Sequence, residues 1–291
     1  MQKILITGAT GNLGKRLVQQ LLSTISEAVE IHLAVRHIPD AQNFFPQHPQ
    51  LQFRVFDFLD PSTFEKSLTE IDTLFLLRPP QLSDVKKHFG PFMKVLGTSS
   101  VKEVLFLSVQ GAGKNRDIPH TLIERMIKRS GKEFIFLRPS YFMQNLSTQL
   151  LADLQEKRQI LLPAGRAAFV WVDLEDVARA SAELLLRFQD FKMRAYNITG
   201  KEKLNFYEIA DIINQYTTNP MQYRSVGRRA FFQLKQGQGM PKEQIQVLFL
   251  LHFMPRLINK AQPSRFLSLL SGKSPNTVAD YIQRELLPLI D

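Results

Sequence analysis

The chain opens on an apolar run, Ile4-Leu5-Ile6, that ends in Thr7-Gly8-Ala9-Thr10-Gly11-Asn12-Leu13-Gly14. Apolar positions at Leu17, Val18, Leu21 and Leu22 follow at helical spacing. The pattern predicts strand, tight turn, helix. Glycine at position 8 allows the sharp turn, because glycine reaches positive φ without steric cost. Gly11 lets the backbone approach a pyrophosphate, and Gly14 lets the helix pack closely on the sheet. Free N–H groups at the helix start, together with the helix dipole, favour an anion there. The spacing is G-x-x-G-x-x-G, not the commoner G-x-G-x-x-G. Its weight comes from the strand before it and the helix after it. The plainer reading is a strand–helix turn that binds nothing.

The alternation continues along the chain. Val29 to Val35 reads as a short β-branched strand with Arg36 at its end. A polar loop with two prolines spans Ala41 to Gln50. Leu51 to Phe56 alternates as a third strand, and Asp60 stands as a helix N-cap before Pro61. Asp72 to Leu77 is a strand broken by Arg78-Pro79-Pro80, with a helix expected from about Ser83 to Leu96. Val104 to Val109 and Phe134 to Arg138 are strands, separated by a helix from Pro119 to Ser130 that Gly131 ends. The segment Pro139 to Asn145 leads into another helix. Phe169 to Val172 is a strand, with Asp173 capping a helix to about Phe188. Ala195 to Thr199 is a strand, and Asn205 with Glu208 caps the helix that follows. Continuously apolar strands alternating with helices predict an α/β fold, a doubly wound parallel sheet covered on both faces. Its ligand crevice lies beyond the carboxyl ends of the strands. Thr7, Arg36, Asp57, Arg78 and Ser108 fall at those ends. From Asn219 the pattern turns to short helices broken by Pro241, Pro255, Pro263 and Pro275. The expected organisation is a dinucleotide-binding domain over 1–150, with 167–200 returning to it, and a small, mostly helical substrate-capping lobe within 151–291.

The polar tips narrow the ligand. A site for NAD(H) places a carboxylate about 20 residues beyond the glycines, against the ribose 2′-hydroxyl. Arg36 stands there instead, and an arginine pairs with a 2′-phosphate. NADP(H) is therefore favoured over NAD(H). The alternative is a solvated surface arginine. Asp57 is placed to accept from an adenine amino group with Phe58 beside the ring, or to cap its own turn.

Composition changes the picture in three ways. The 291 residues are 44% hydrophobic, enough for a sizeable core, and include no cysteine. Disulfides, zinc–cysteine sites and thiol catalysis are excluded. No window approaches about 18 uninterrupted apolar residues, and Met1-Gln2-Lys3 leads straight into a strand. A cytoplasmic protein without a membrane partner is expected. The formal net charge is +10, but the cations are dispersed, with the largest excess after Asn219. Dispersal speaks against nucleic acid and for a surface that attracts an anionic cofactor or substrate.

Taken together, Thr7 to Gly14, Val35-Arg36, Asp57-Phe58, Glu124 with Ser130-Gly131, Leu137-Arg138-Pro139, Phe142-Met143-Gln144-Asn145 and Asp173 to Ala178 resemble the NmrA-like group, an atypical branch of the short-chain dehydrogenase/reductase superfamily. The resemblance runs from Ile4 to about Ile213. It implies a Rossmann-type fold that binds NADP(H) or NAD(H). Members include quinone and other small-molecule reductases, and regulators that sense the cofactor without turning it over. By position, the resemblance implies that Gly8, Thr10, Gly11, Asn12, Leu13 and Gly14 cradle the pyrophosphate and that Arg36 meets the 2′-phosphate. Asp57 and Phe58 flank adenine, and Leu77 and Arg78 lie near the ribose. Ser108 and the segment Pro139 to Phe142, with Tyr141, lie near the nicotinamide.

The chain departs from the wider superfamily at its acid. The Tyr-x-x-x-Lys expected after the fifth strand is replaced by His120-Thr121-Leu122-Ile123-Glu124. His120 and Glu124 stand one turn apart. Ketone reduction needs a proton donor in place, whereas hydride transfer to a quinone needs one less, because the product anion is delocalised. Ser108 and His120 are the candidate catalytic residues; histidine titrates near neutrality. A surface or capping role is the alternative for His120, and Glu124 is expected to brace the fold. The substrate pocket is expected from Ser108, Gln110, His120, Tyr141, Phe142, Asn145 and Trp171, whose aromatics suit a flat acceptor. Two functions follow: an NADPH-dependent reductase of quinone-like acceptors, or a non-catalytic NADP(H) sensor that acts through a protein partner.

Overall fold

The computed structural model describes residues 1–45, 47–82, 84–114, 118–258 and 261–290. The chain divides into two compact units. One comprises Met1–Pro139, Leu174–Ile198 and Phe266–Lys273; the other comprises Ser140–Asp173, Thr199–Arg265 and Ser274–Asp291.

The first unit runs β1 (Gln2–Thr7), α1 (Asn12–Leu22), β2 (Val29–Val35), α2 (Ile38–Gln42), β3 (Leu51–Val55), α3 (Phe64–Leu68), β4 (Thr73–Leu77), α4 (Val85–Thr98), β5 (Glu103–Leu107), α5 (Pro119–Arg129) and β6 (Glu133–Pro139). A seventh strand, Arg194–Ile198, follows the helix Leu174–Leu186. The order across the sheet is Arg194–Ile198, β6, β5, β4, β1, β2, β3. Every pairing is parallel. The winding reverses at β1, where Ile4 lies opposite Ile31 on one side and Thr73 on the other. This is the doubly wound sheet that continuous apolar strands require, and its reversal point falls at the glycine turn. One face packs on Phe56, Phe58, Phe64, Phe89 and Phe92, all buried. Each such ring contributes about 1.5–3 kcal/mol by leaving water.

Local differences from the expected pattern have local causes. The polar stretch from Ala41 starts inside α2, where Pro39 occupies the first turn; Pro46 lies outside the described residues. Ser83, the expected start of α4, also lies outside them. Asp84 caps that helix, accepting from the Lys87 N–H at 3.0 Å.

The second unit holds a three-stranded sheet in the order Lys203–Leu204, Phe169–Val172, Tyr141–Phe142. A parallel pair joins Gln159–Leu162 to Gln222–Ser225. The segment Pro139 to Asn145 leads into a helix as expected: Tyr141–Phe142 is a strand, Met143–Asn145 a 3-10 turn, and the helix begins at Leu151. The Asn205–Glu208 capping box is present. Within the core, Lys235 is 2% exposed and Asp153 is 1% exposed, with Nζ and Oδ2 2.9 Å apart. Lys157 and Gln238 donate to the other oxygen. Burial opposes ionisation of Asp153, yet the lysines hold its pKa below the usual carboxylate value.

Removing Asp153 leaves the Lys235 ammonium buried without its counter-ion. Asp153→Ala is expected to lower unfolding stability by about 3 kcal/mol or more. A urea midpoint within error of the wild type would show that the pair contributes little.

Candidate dinucleotide site

The turn after β1 is pinned from below. The Thr7 hydroxyl is fully buried; it donates to Phe75 O at 3.1 Å and accepts from the Leu77 N–H at 2.8 Å. This ties the tip of β1 to β4. Gly8 takes φ +67°, and a Cβ there would lie 3.0 Å from Leu77 Cδ2. The Gly11 N–H donates to Gly8 O at 3.0 Å, closing the turn. At Gly14 a Cβ would come within 2.2 Å of Gly8 O and 2.6 Å of Ala9 Cα. Only glycine allows α1 to pack this closely on the turn.

The start of α1 is left open. Its N-cap is Gly11, which has no side chain to cap it, and its first turn has no acidic residue. Thr10, Gly11 and Asn12 are exposed, while Leu13 is buried and anchors the helix. The first-turn N–H groups thus form a ready anion site.

Arg36 follows β2 directly and is exposed. It forms no ion pair or side-chain hydrogen bond among the described residues. Asp57 is half-buried, and its Oδ1 accepts from the Leu59 N–H at 2.9 Å, so one oxygen caps its own turn. Phe58 departs from expectation. Its ring is buried against Phe56, Phe89 and Phe92, with centroids 4.7–5.5 Å away, because apolar burial outweighs presentation to a ligand.

At the tip of β4, the Arg78 Nη1 donates to the carbonyls of Pro79, Pro80 and Leu82 at 3.0–3.1 Å. Arg78 has no carboxylate partner among the described residues, and its buried Nε has no hydrogen bond. On α5, His120 lies over Phe106, with centroids 6.0 Å apart. Burial, and then the charge of Arg78, push the His120 pKa down to about 4. His120 is therefore neutral at pH 7, contrary to the expectation that it titrates near neutrality.

The Ser108 hydroxyl donates to Glu124 Oε1 at 2.6 Å, and Arg138 grips both oxygens of Glu124 at 2.6–2.9 Å. Glu124 braces β5, β6 and α5, and Ser108 is part of that brace. Gln110 is half-buried, and its N–H donates to Pro139 O.

In the second unit, Trp171 has no accessible surface, and its indole N–H donates to Leu204 O at 3.0 Å. It is core, not pocket lining. Tyr141 is also buried, packed on Phe169, Trp171 and Phe206. Its hydroxyl lies 2.8 Å from His252 Nε2, and His252 Nδ1 lies 2.8 Å from Leu248 O. Since Leu248 O only accepts, Nδ1 carries the proton and Nε2 accepts from Tyr141. Burial pushes the Tyr141 pKa up and that of His252 down to about 4. The sequence reading missed His252, 111 positions from its partner, and nothing local marks it. Phe142 and Asn145 are half-buried.

A doubly wound sheet with an open glycine turn at its reversal point defines a nucleotide-binding α/β protein. A family model described as NAD(P)H-binding matches residues 8–186, and the NmrA-like family model matches residues 99–281. The chain belongs to the NmrA-like family of NAD(P)H-binding proteins. It is 25% identical over 278 residues to prestalk A differentiation protein A of Dictyostelium discoideum, covering 96% of this chain and 90% of that one. It is 25% identical over 245 residues to the NAD(P)H azoreductase of Xenophilus azovorans, covering 82% of each. Among solved structures, the NADPH-dependent quinone oxidoreductase QOR2 of Escherichia coli with NADPH is similar at TM-score 0.84 and 19% identity, covering 97% of this chain and 99% of that one. The Citrobacter sp. triphenylmethane reductase with NADP(H) is similar at TM-score 0.82 and 20% identity, covering 97% and 99%. These two likenesses share the fold. No helix among the described residues is long and apolar enough to cross a membrane.

Two outcomes follow. Gly14→Ala is expected to abolish NADPH binding, or unfold the turn, because its methyl meets backbone that cannot move aside; unchanged affinity in a titration would contradict the close approach. Second, His120 and His252 stay neutral in the folded chain down to about pH 4. The unfolded chain takes up those protons below about pH 6.5. Stability is therefore fully present above about pH 6.5 and falls as pH drops toward 4. Urea midpoints measured across that window check this, alongside a His252→Gln variant with a flatter profile.

Proposed function

We propose that the chain is a reductase that prefers NADPH and passes hydride to a quinone or a similar conjugated small molecule. The observation that carries the cofactor preference is Arg36. It is exposed and without an ion-pair partner among the described residues, at the strand tip where an NAD site has a carboxylate. The first turn of α1 would hold the diphosphate, and Arg36 the 2′-phosphate. Bound dihydronicotinamide supplies the hydride.

The remaining residues favour an acceptor that needs no dedicated acid. The Ser108 proton is committed to Glu124. His120 has no imidazolium proton to give at pH 7. The fixed positive charge of Arg78 favours negative charge developing nearby. An acceptor whose anion is spread over a ring can take its proton from water. Relatives named for azo and quinone acceptors support this reading. The second reading, a cofactor sensor, is favoured by the missing Tyr-x-x-x-Lys and the engaged Ser108.

Arg36→Ala is expected to weaken NADPH binding at least about tenfold while changing NADH binding little, since one charge-assisted contact is worth about 1.5–3 kcal/mol. Equal loss for both cofactors would contradict the phosphate role. NADPH consumption with a panel of quinones separates the two functions: turnover supports the reductase, and tight binding without turnover on any acceptor supports the sensor.

A further inference from the structure

The helix Lys242–Phe253 is apolar on both sides. Ile245, Phe249 and His252 face the core of the second unit. On the opposite side Val247, Leu250, Leu251, Met254 and Ile258 follow one another at i, i+3, i+4, i+7 and i+11, and all are exposed. Leu257 joins them. Backbone bonds from the Leu257 and Ile258 N–H groups to Met254 O carry the helical turn past the end of the helix. Val247 is 66% exposed, Leu257 67% and Ile258 64%. A helix that is apolar all round is ordinarily covered on every side, and this one is not.

The surrounding charge selects what covers it. Besides buried Lys235, the sequence between Asn219 and Ala279 has eight lysines and arginines and one carboxylate, Glu243. Exposed Arg228 lies over Phe249 of this helix at 5.7 Å, and exposed Arg256 lies over Phe253 at 5.2 Å. Lys242 is exposed at the helix start. A second copy of the chain would bring like charges together. An anionic bilayer meets them with opposite charge. A fluid interface takes up such exposed apolar side chains without needing a matching groove.

We propose that the exposed side of the segment from Val247 to Ile258 is a membrane-surface site. It seats its apolar stripe at the headgroup boundary of anionic lipid, held by the flanking cations. The helix lies on the bilayer and does not span it. The inference stands apart from the reductase reading.

The test is flotation of the full-length protein with vesicles of phosphatidylcholine alone and of phosphatidylcholine mixed with phosphatidylglycerol. The wild type is expected to float with the anionic vesicles and not with the neutral ones. The triple variant Val247→Gln, Leu250→Gln, Leu257→Gln changes only exposed positions and should keep its fold and its NADPH affinity. It is expected to lose at least about tenfold in vesicle binding. Arg228→Glu with Lys242→Glu should also weaken binding, and raised salt should weaken it further. Absence of flotation, or equal flotation of the wild type and the triple variant, would overturn the proposal. A concentration-dependent dimer that the triple variant dissolves, read by light scattering without lipid, would also overturn it and assign the stripe to a second copy.

Discussion

The first unit depends on one close approach. Helix α1 meets the turn after β1 so tightly that position 14 has no room for a methyl group. The approach is possible because Gly8 bends the chain at positive φ and Thr7 fastens the strand tip to β4. Its consequence is electrostatic. The first-turn N–H groups are brought to the carboxyl edge of the sheet, at the point where the winding reverses, behind an N-cap glycine that has no side chain to cap them. A helix end left this way is open to water, and an anion placed there gains from both the free donors and the helix dipole. Cofactor binding and fold thus share one cause.

The same edge carries two cations that have no carboxylate partner among the described residues. Arg36 is exposed, and Arg78 is held by three neutral carbonyls. Glu124 is occupied by Ser108 and Arg138. The arrangement separates two roles. Glu124 holds β5, β6 and α5 in register, while the arginines set the potential that an anionic ligand meets. Burial first, and then the charge of Arg78, lower the His120 pKa.

Much of this was legible in the sequence. The strands of the main sheet are long enough for their apolar runs to stand out, and β2 spans the residues that its pattern predicts. The glycine turn could be read because each glycine answers a separate steric demand. The bracing role of Glu124 was also legible, one turn from His120 on a helix that had lost its usual acid. The second unit was less so. Tyr141–Phe142 and Lys203–Leu204 are two-residue strands, too short to show a period, and they form only because tertiary partners pair with them. Phe58 and Trp171 look alike in sequence to ring-stacking residues, but burial depends on what packs across from them. Tyr141 and His252 meet across 111 positions, a distance no local pattern encodes. The apolar stripe of Val247 to Ile258 was not legible because its helix is apolar on both sides, so no polar face marks which side is exposed.

The most direct measurement is an amide-resolved NMR titration of the folded protein with NADPH. Saturable shifts concentrated on the backbone N–H groups of Asn12, Leu13 and Gly14 are the expected result, since the Gly11 N–H is held by Gly8 O and these three donors are the ones left to meet phosphate oxygens. Saturation with those three signals unmoved, or no uptake of either nicotinamide nucleotide, would contradict the account.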